Sequence, residues 1–199
     1  MTRHLPEQAR REQILSAARR CFIENGYHPT RMDDIAAAAN LSKGGVYFHF
    51  KSKQEVFASL VEEEYSRSMT FLQGVSQGTA PIAEKMQILG MHYLEYFQGA
   101  PDAPRFFVVM GEMALRDEAL AKKLLEMQSA YIVEIAKLID QGVAEGVLRP
   151  VDSQVVAAIL KALLDGVEGL TALRFPMEIS RYLAVGMDIL LGGLMRRPE

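Results

Sequence analysis

Between Thr30 and Lys53 the chain gathers groups suited to holding a polyanion: Lys43, Tyr47, His49, Lys51 and Lys53. Lysine supplies point charge, and tyrosine and histidine donate hydrogen bonds to phosphate oxygens. Two adjacent glycines, Gly44 and Gly45, sit among them. In a helix each costs roughly 1 kcal/mol relative to alanine, which a helix built for packing alone rarely accepts. A helix that must bring its backbone against a duplex gains from the missing side chains. Its N-terminus also offers N–H groups and a positive dipole end to phosphate. Val46, Phe48 and Phe50 are placed to anchor this helix on its own core.

The charge balance points the same way. Residues 1–53 hold nine basic and five acidic side chains, a net +4, whereas the whole 199-residue chain carries −3. That asymmetry is the footprint of a nucleic-acid-binding end joined to something else. Other chemistry is missing from the pattern. The histidines His4, His28, His49 and His92 show no metal-ligand spacing with each other or with Cys21, so neither a metal nor a cofactor is expected. Cys21, the single cysteine, lies on an apolar helix stripe and reads as an inert core thiol. There is no nucleophile elbow, phosphate loop or dinucleotide fingerprint, and no enzyme is expected. Glu62, Glu63 and Glu64 read as a solvated face, and Arg116 with Asp117 as capping and dipole complement. The N-terminus, Met1 to Pro6, lacks the apolar stretch of a signal peptide. No apolar run is free of charge over a membrane's thickness: the best, Ile179 to Met195, carries Arg181 and Asp188. A soluble, cytoplasmic chain is expected.

The elements that must position these groups read as helices throughout, about nine of them, an all-α class. Ile14, Ala17, Ala18, Cys21 and Phe22 form one stripe of a helix over residues 8–25, stopped by Gly26. Thr30 is a good N-cap for a short helix to Ala39, with a turn at Asn40 and Leu41. Ser42 caps a third short helix ending near Phe50. Ser52 with Glu55 opens a fourth, which runs to about Gln73, before Gly74. Further helices are expected at 82–98, stopped by Gly99 and Pro101, then at 103–115, at 117–142 up to Gly142, from the Asp152 cap to Phe175, and at 178–195. Two short helices with a tight turn make a helix-turn-helix, in which Ala36 to Ala39 allow close crossing.

The residues Thr30, Asp34-Ile35-Ala36, Leu41-Ser42-Lys43-Gly44, Tyr47-Phe48-His49-Phe50 and Ser52-Lys53 make the chain resemble the tetracycline-repressor (TetR) family of transcriptional regulators over roughly residues 10–60. The resemblance implies a helix-turn-helix DNA-binding domain over 1–53 and a helical ligand-binding and dimerisation domain over 54–199. It implies that the third helix enters the major groove of double-stranded operator DNA. Ser42, Lys43, Gly44, Gly45 and Tyr47 would then face bases or adjacent phosphates. Thr30, His49 and Lys53 would hold phosphate at the ends of the second and fourth helices. Gly45 departs from relatives that carry a small hydroxyl or methyl there, which shifts base reading toward Lys43 and DNA shape.

One such unit reads only a few base pairs, so site discrimination demands a dimer. Residues 153–175 are apolar almost all round (Val155, Val156, Ile159, Leu160, Leu163, Leu164, Val167, Leu170, Leu173), and a helix apolar on every side must be buried on every side. With 178–195 it is the expected homodimer bundle, by resemblance, against a buried monomer core. Residues 65–135 are rich in methionine and aromatics, which suits an adaptable apolar pocket. Members of the family bind a small molecule there. The candidates are Met69, His92, Tyr96, Phe107, Met110, Met113 and Tyr131, with His92, Arg105 or Glu134 as polar handles, for an unidentified, largely apolar ligand. The expected function is a repressor released from a palindromic operator by that ligand. The alternatives are a DNA-binding regulator without a small-molecule inducer, and a helical carrier or enzyme, which would need a polar catalytic cluster.

Overall fold

A computed structural model of the chain describes residues 6–99 and 102–195. The first five residues, Ala100 and Pro101, and the last four fall outside them, and with them the reading of the extreme N-terminus and the stop at Pro101. Among the described residues there are nine α-helices and no strand: α1 Glu7–Asn25, α2 Met32–Ala38, α3 Lys43–His49, α4 Lys53–Gln77, α5 Ile82–Gly99, α6 Ala103–Ala114, α7 Glu118–Ala144, α8 Ser153–Ala172 and α9 Ile179–Leu194. No described helix is long and apolar enough to cross a membrane.

Local chemistry sets most boundaries. Gly26, at φ +82°, turns the chain out of α1. Ser42 Oγ accepts the Gly45 N–H at 3.1 Å, Ser52 Oγ the Glu55 N–H at 3.1 Å and Asp152 Oδ1 the Val155 N–H at 3.1 Å, so each caps its helix. Asp117 does the same for α7 through the Leu120 N–H. Four boundaries differ from expectation; one is the end of α8, at Ala172 and not Phe175, where Arg174 takes a left-handed φ of +56°. The N-cap of α2 is Arg31, not Thr30; the Asp34 carboxylate accepts the Arg31 N–H at 2.7 Å. The long helix α4 runs through Gly74 to Gln77, because Leu72 is buried beyond the midpoint and Ser76 is tied to Glu134 of α7. Likewise α7 continues past Gly142. A Cβ there would stand 2.7 Å from Leu148 Cδ1, so Gly142 makes room for Leu148 rather than ending the helix.

Two hydrophobic cores result. The first joins α1, α2 and α3 to the N-terminal half of α4 and to α6, through Ile14, Phe22, Ile35, Val46, Phe50, Phe57 and Phe106. The second joins the C-terminal half of α4 to α5, α7, α8 and α9, through Leu72, Ile82, Ile139, Leu148 and Leu194. Lys85, 2% exposed, bolts this second core at one end: its ammonium donates to Ser76 O at 2.8 Å and to Gln141 Oε1 at 2.7 Å. The α4 helix therefore spans both cores, and a cavity opens beside its middle.

Candidate nucleic-acid interface and ligand cavity

The short helix α3 is held firmly from behind. Val46 and Phe50 are fully buried. Arg11 of α1 donates to His49 O at 3.0 Å and lies over the Phe50 ring, and Lys51 donates to Tyr47 O at 3.3 Å. Gln13 of α1 fixes the turn by donating to Ala39 O at 2.7 Å, and Asn40 takes a left-handed φ of +54°. The opposite side faces outward. Ser42, Lys43, Gly44 and Tyr47 are exposed there, while Gly45 and His49 are half-buried. A Cβ on Gly44 would meet nothing within 4 Å, whereas one on Gly45 would meet Ser42 Oγ at 3.3 Å. Nothing in the fold therefore requires Gly44 to lack a side chain. Lys43 lies 2.9 Å from Asp33 Oδ1 in an exposed ion pair, which raises its pKa; an exposed pair of this kind is easily exchanged for another partner.

Three side chains of this region are not where the sequence reading put them. Thr30 is buried, and its hydroxyl donates to Gly26 O at 2.7 Å and Cys21 O at 3.3 Å, so it tethers the end of α1 instead of facing outward. The Lys53 ammonium donates to the carbonyls of Tyr27 at 2.7 Å, His28 at 3.0 Å and Thr30 at 2.8 Å. All three of its donors are used, burial lowers its pKa, and its ammonium lies 4.3 Å from the Tyr27 ring centroid. Lys53 thus fastens α4 to the α1–α2 loop. Phe48, expected in the core, is 73% exposed and stands edge-on to His49. An outward phenylalanine on a seven-residue helix is an apolar surface for a groove wall, and the alternation Val46, Phe48, Phe50 concealed it, because a helix turns by 100° per residue.

The cavity encloses about 280 Å³ between α4, α5, α6, α7 and α8. Of the residues expected there, His92, Tyr96, Phe107, Met110 and Tyr131 line it. Met69 and Met113 do not: both are buried in helix packing, Met113 in the first core. Arg105 points back to α1, 3.5 Å from Ile23 O. Glu134 is buried, bonded to Ser76 and Lys137, away from the cavity. The walls also carry Tyr65 and Tyr93, from the aromatic-rich stretch 65–135, and Glu64, Lys161, Asp165 and Glu168, which the sequence reading did not place there. Glu64 is not on a solvated face; its side chain is 14% exposed and accepts a 2.5 Å bond from Arg19 of α1. Lys161 pairs with Asp165 one turn along α8. Glu168 Oε1 accepts the Tyr96 hydroxyl at 2.6 Å, and burial pushes the Glu168 carboxyl up to about 7. Tyr93 and Tyr96 are raised by burial, and His92, stacked on Phe71, is lowered by it. The polar residues of α8 correct the expectation of a helix apolar all round. One face meets the cavity, and another exposes Val155, Ile159, Leu163 and Leu170; only Ala157 is fully buried along the helix.

A helix-turn-helix with a bare outer face, mounted on a larger helical body, defines a DNA-binding transcriptional regulator. The chain belongs to the TetR family: residues 14–60 match the N-terminal model of the bacterial regulatory proteins of the tetR family, and residues 84–191 match the C-terminal model of BetI-type transcriptional repressors. It is 30% identical over 146 residues to the transcriptional regulator RutR of Escherichia coli K12, covering 73% of this chain and 68% of RutR. It is 29% identical to the transcriptional repressor Rv1474c of Mycobacterium tuberculosis over 94% of both chains. The solved complex of SmeT with triclosan superposes with a TM-score of 0.77 at 27% identity, over 95% of this chain and 93% of SmeT. RutR is a transcriptional regulator, and Rv1474c and SmeT are repressors.

Proposed function

We propose that the chain represses transcription as a homodimer, with α3 of each copy in the major groove, and that a small molecule in the cavity lowers its affinity for DNA. Lys43, Gly44, Tyr47 and Phe48 lie against the groove, with Ser42, Gly45 and His49 beside them. Thr30 and Lys53 position this surface from behind. The dimer forms through α8 and α9. Support comes from their uncovered apolar residues: Ile159 is 50%, Leu163 49%, Tyr182 49%, Val185 50% and Ile189 68% exposed, a patch that soluble monomers rarely leave open. The relative SmeT, solved with triclosan, is a precedent for a small molecule in this fold.

The observation that carries the coupling is the Arg19–Glu64 ion pair. It joins α1, which holds α3 in place, to the wall of the cavity. A ligand that binds better to one setting of α4 shifts the spacing of the two α3 helices, and about 1.4 kcal/mol of differential binding gives tenfold in DNA affinity. In the Glu64→Gln variant the ligand is expected to bind within a few-fold of wild type while its effect on DNA affinity is lost. Gel-shift titrations with and without ligand measure this; a variant that still releases DNA as the wild type does would refute the coupling.

A further inference from the structure

We infer that the cavity is built for an organic cation with an aromatic or apolar body, its positive charge held by Glu168 among the rings of Tyr93, Tyr96 and Tyr131. This rests on the cavity being the effector site and adds the charge of its ligand.

Three carboxylates line the cavity. Two already have cations of their own: Glu64 has Arg19 at 2.5 Å, and Asp165 has Lys161. Glu168 forms no ion pair among the described residues; its partner is the neutral Tyr96 hydroxyl at 2.6 Å. A buried carboxylate whose nearby cation, Lys161, is already paired with Asp165 either takes up a proton or waits for a cation of its own. The surrounding walls suit the second. Tyr65, Tyr93, Tyr96, Phe107 and Tyr131 border the same space, and aromatic faces attract a desolvated cation by up to about 2 kcal/mol. Lys161 already samples such a position, 5.6 Å from the Tyr131 ring centroid. The titratable groups that share the cavity wall with Glu168 are Tyr96, Tyr93 and His92 from α5, Glu64 and Tyr65 from α4, Tyr131 from α7, and Lys161 and Asp165 from its own helix α8. Burial, the largest influence, opposes its ionisation, as do Asp165 and Glu64, while the Tyr96 hydrogen bond and Lys161 favour it. With its carboxyl at about 7, Glu168 is ionised at pH 8 and protonated at pH 6, and a bound cation favours the ionised form.

The test is direct binding, without DNA, of benzyltrimethylammonium and of its uncharged carbon isostere neopentylbenzene, followed by thermal shift and calorimetry. The wild type at pH 8 is expected to prefer the cation by about tenfold or more. The probe's charge does not titrate, so the preference should fall between pH 8 and pH 6 as Glu168 takes up its proton, and it should vanish in Glu168→Gln. Equal binding of the two probes at pH 8, no binding of the cation, or a preference kept intact at pH 6 and in Glu168→Gln would each overturn the inference. The pH series uses the unaltered chain, so it stands even if the variant folds poorly. A cation bound with the expected preference that leaves DNA affinity unchanged supports this inference and refutes the coupling through Glu64 instead.

Discussion

Replacing Gly44 with alanine separates what α3 needs as a helix from what it needs as a surface. A Cβ at Gly44 meets open space, and its φ is negative. Alanine there removes backbone freedom from the unfolded chain and restores helix propensity, worth about 0.4–1 kcal/mol. For a chain of this length that raises the melting temperature by roughly 1–4 °C. On DNA the same methyl group occupies the space the backbone needs. An overfilled contact costs about 1–3 kcal/mol, so DNA affinity should fall by about five- to 150-fold. Gly45→Ala is the control. Its Cβ presses on Ser42 Oγ at 3.3 Å, the atom that caps α3, so part or all of the gain in stability disappears. Differential scanning fluorimetry and fluorescence anisotropy on one preparation give both numbers. A Gly44→Ala protein that is more stable and binds DNA unchanged would refute the reasoning, since the glycine would then serve neither fold nor interface.

Lys53→Met keeps the side-chain stem and removes three bonds to the Tyr27, His28 and Thr30 carbonyls. It should cost on the order of 2 kcal/mol of stability. It should weaken DNA binding without changing the slope of affinity against salt, because the ammonium is not spent on phosphate; a slope reduced by about 0.9 would show that it is. Ile159→Asp places a charge on the uncovered face of α8 and is expected to give a monomer in sedimentation experiments, with much weaker DNA binding. A variant that stays dimeric removes α8 from the interface.

Helix number, order and most boundaries were legible because they follow from local chemistry: Ser42, Ser52 and Asp152 cap with their own side chains, and Gly26 stops α1. So was the outward set Ser42, Lys43, Gly44 and Tyr47, since a short motif fixes its own faces. What escaped depends on partners distant in sequence. Lys53 looked like a phosphate lysine until the loop 23–26 residues before it arrived to use its ammonium. Glu64 looked solvated within its acidic run, but Arg19, 45 residues away, reaches it across the helix packing, beside Arg67 from its own helix. Thr30 had the composition of a cap, yet the bend after Gly26 turned its hydroxyl inward. Counting only the apolar residues of α8 hid Lys161, Asp165 and Glu168, which with Glu64 of α4 give the cavity its charge. Met69 and Met113 illustrate the reverse case: methionine suits a core gap as readily as a ligand wall, and composition does not distinguish them.

The most direct measurement is selection of bound duplexes from a random DNA pool by the full chain. An enriched inverted repeat is expected, with half-site centres one helical turn, about 10 base pairs, or more apart, and with binding lost in Ile159→Asp and weakened in Gly44→Ala. A single asymmetric element, or no enrichment at all, would contradict a dimer that reads DNA through α3.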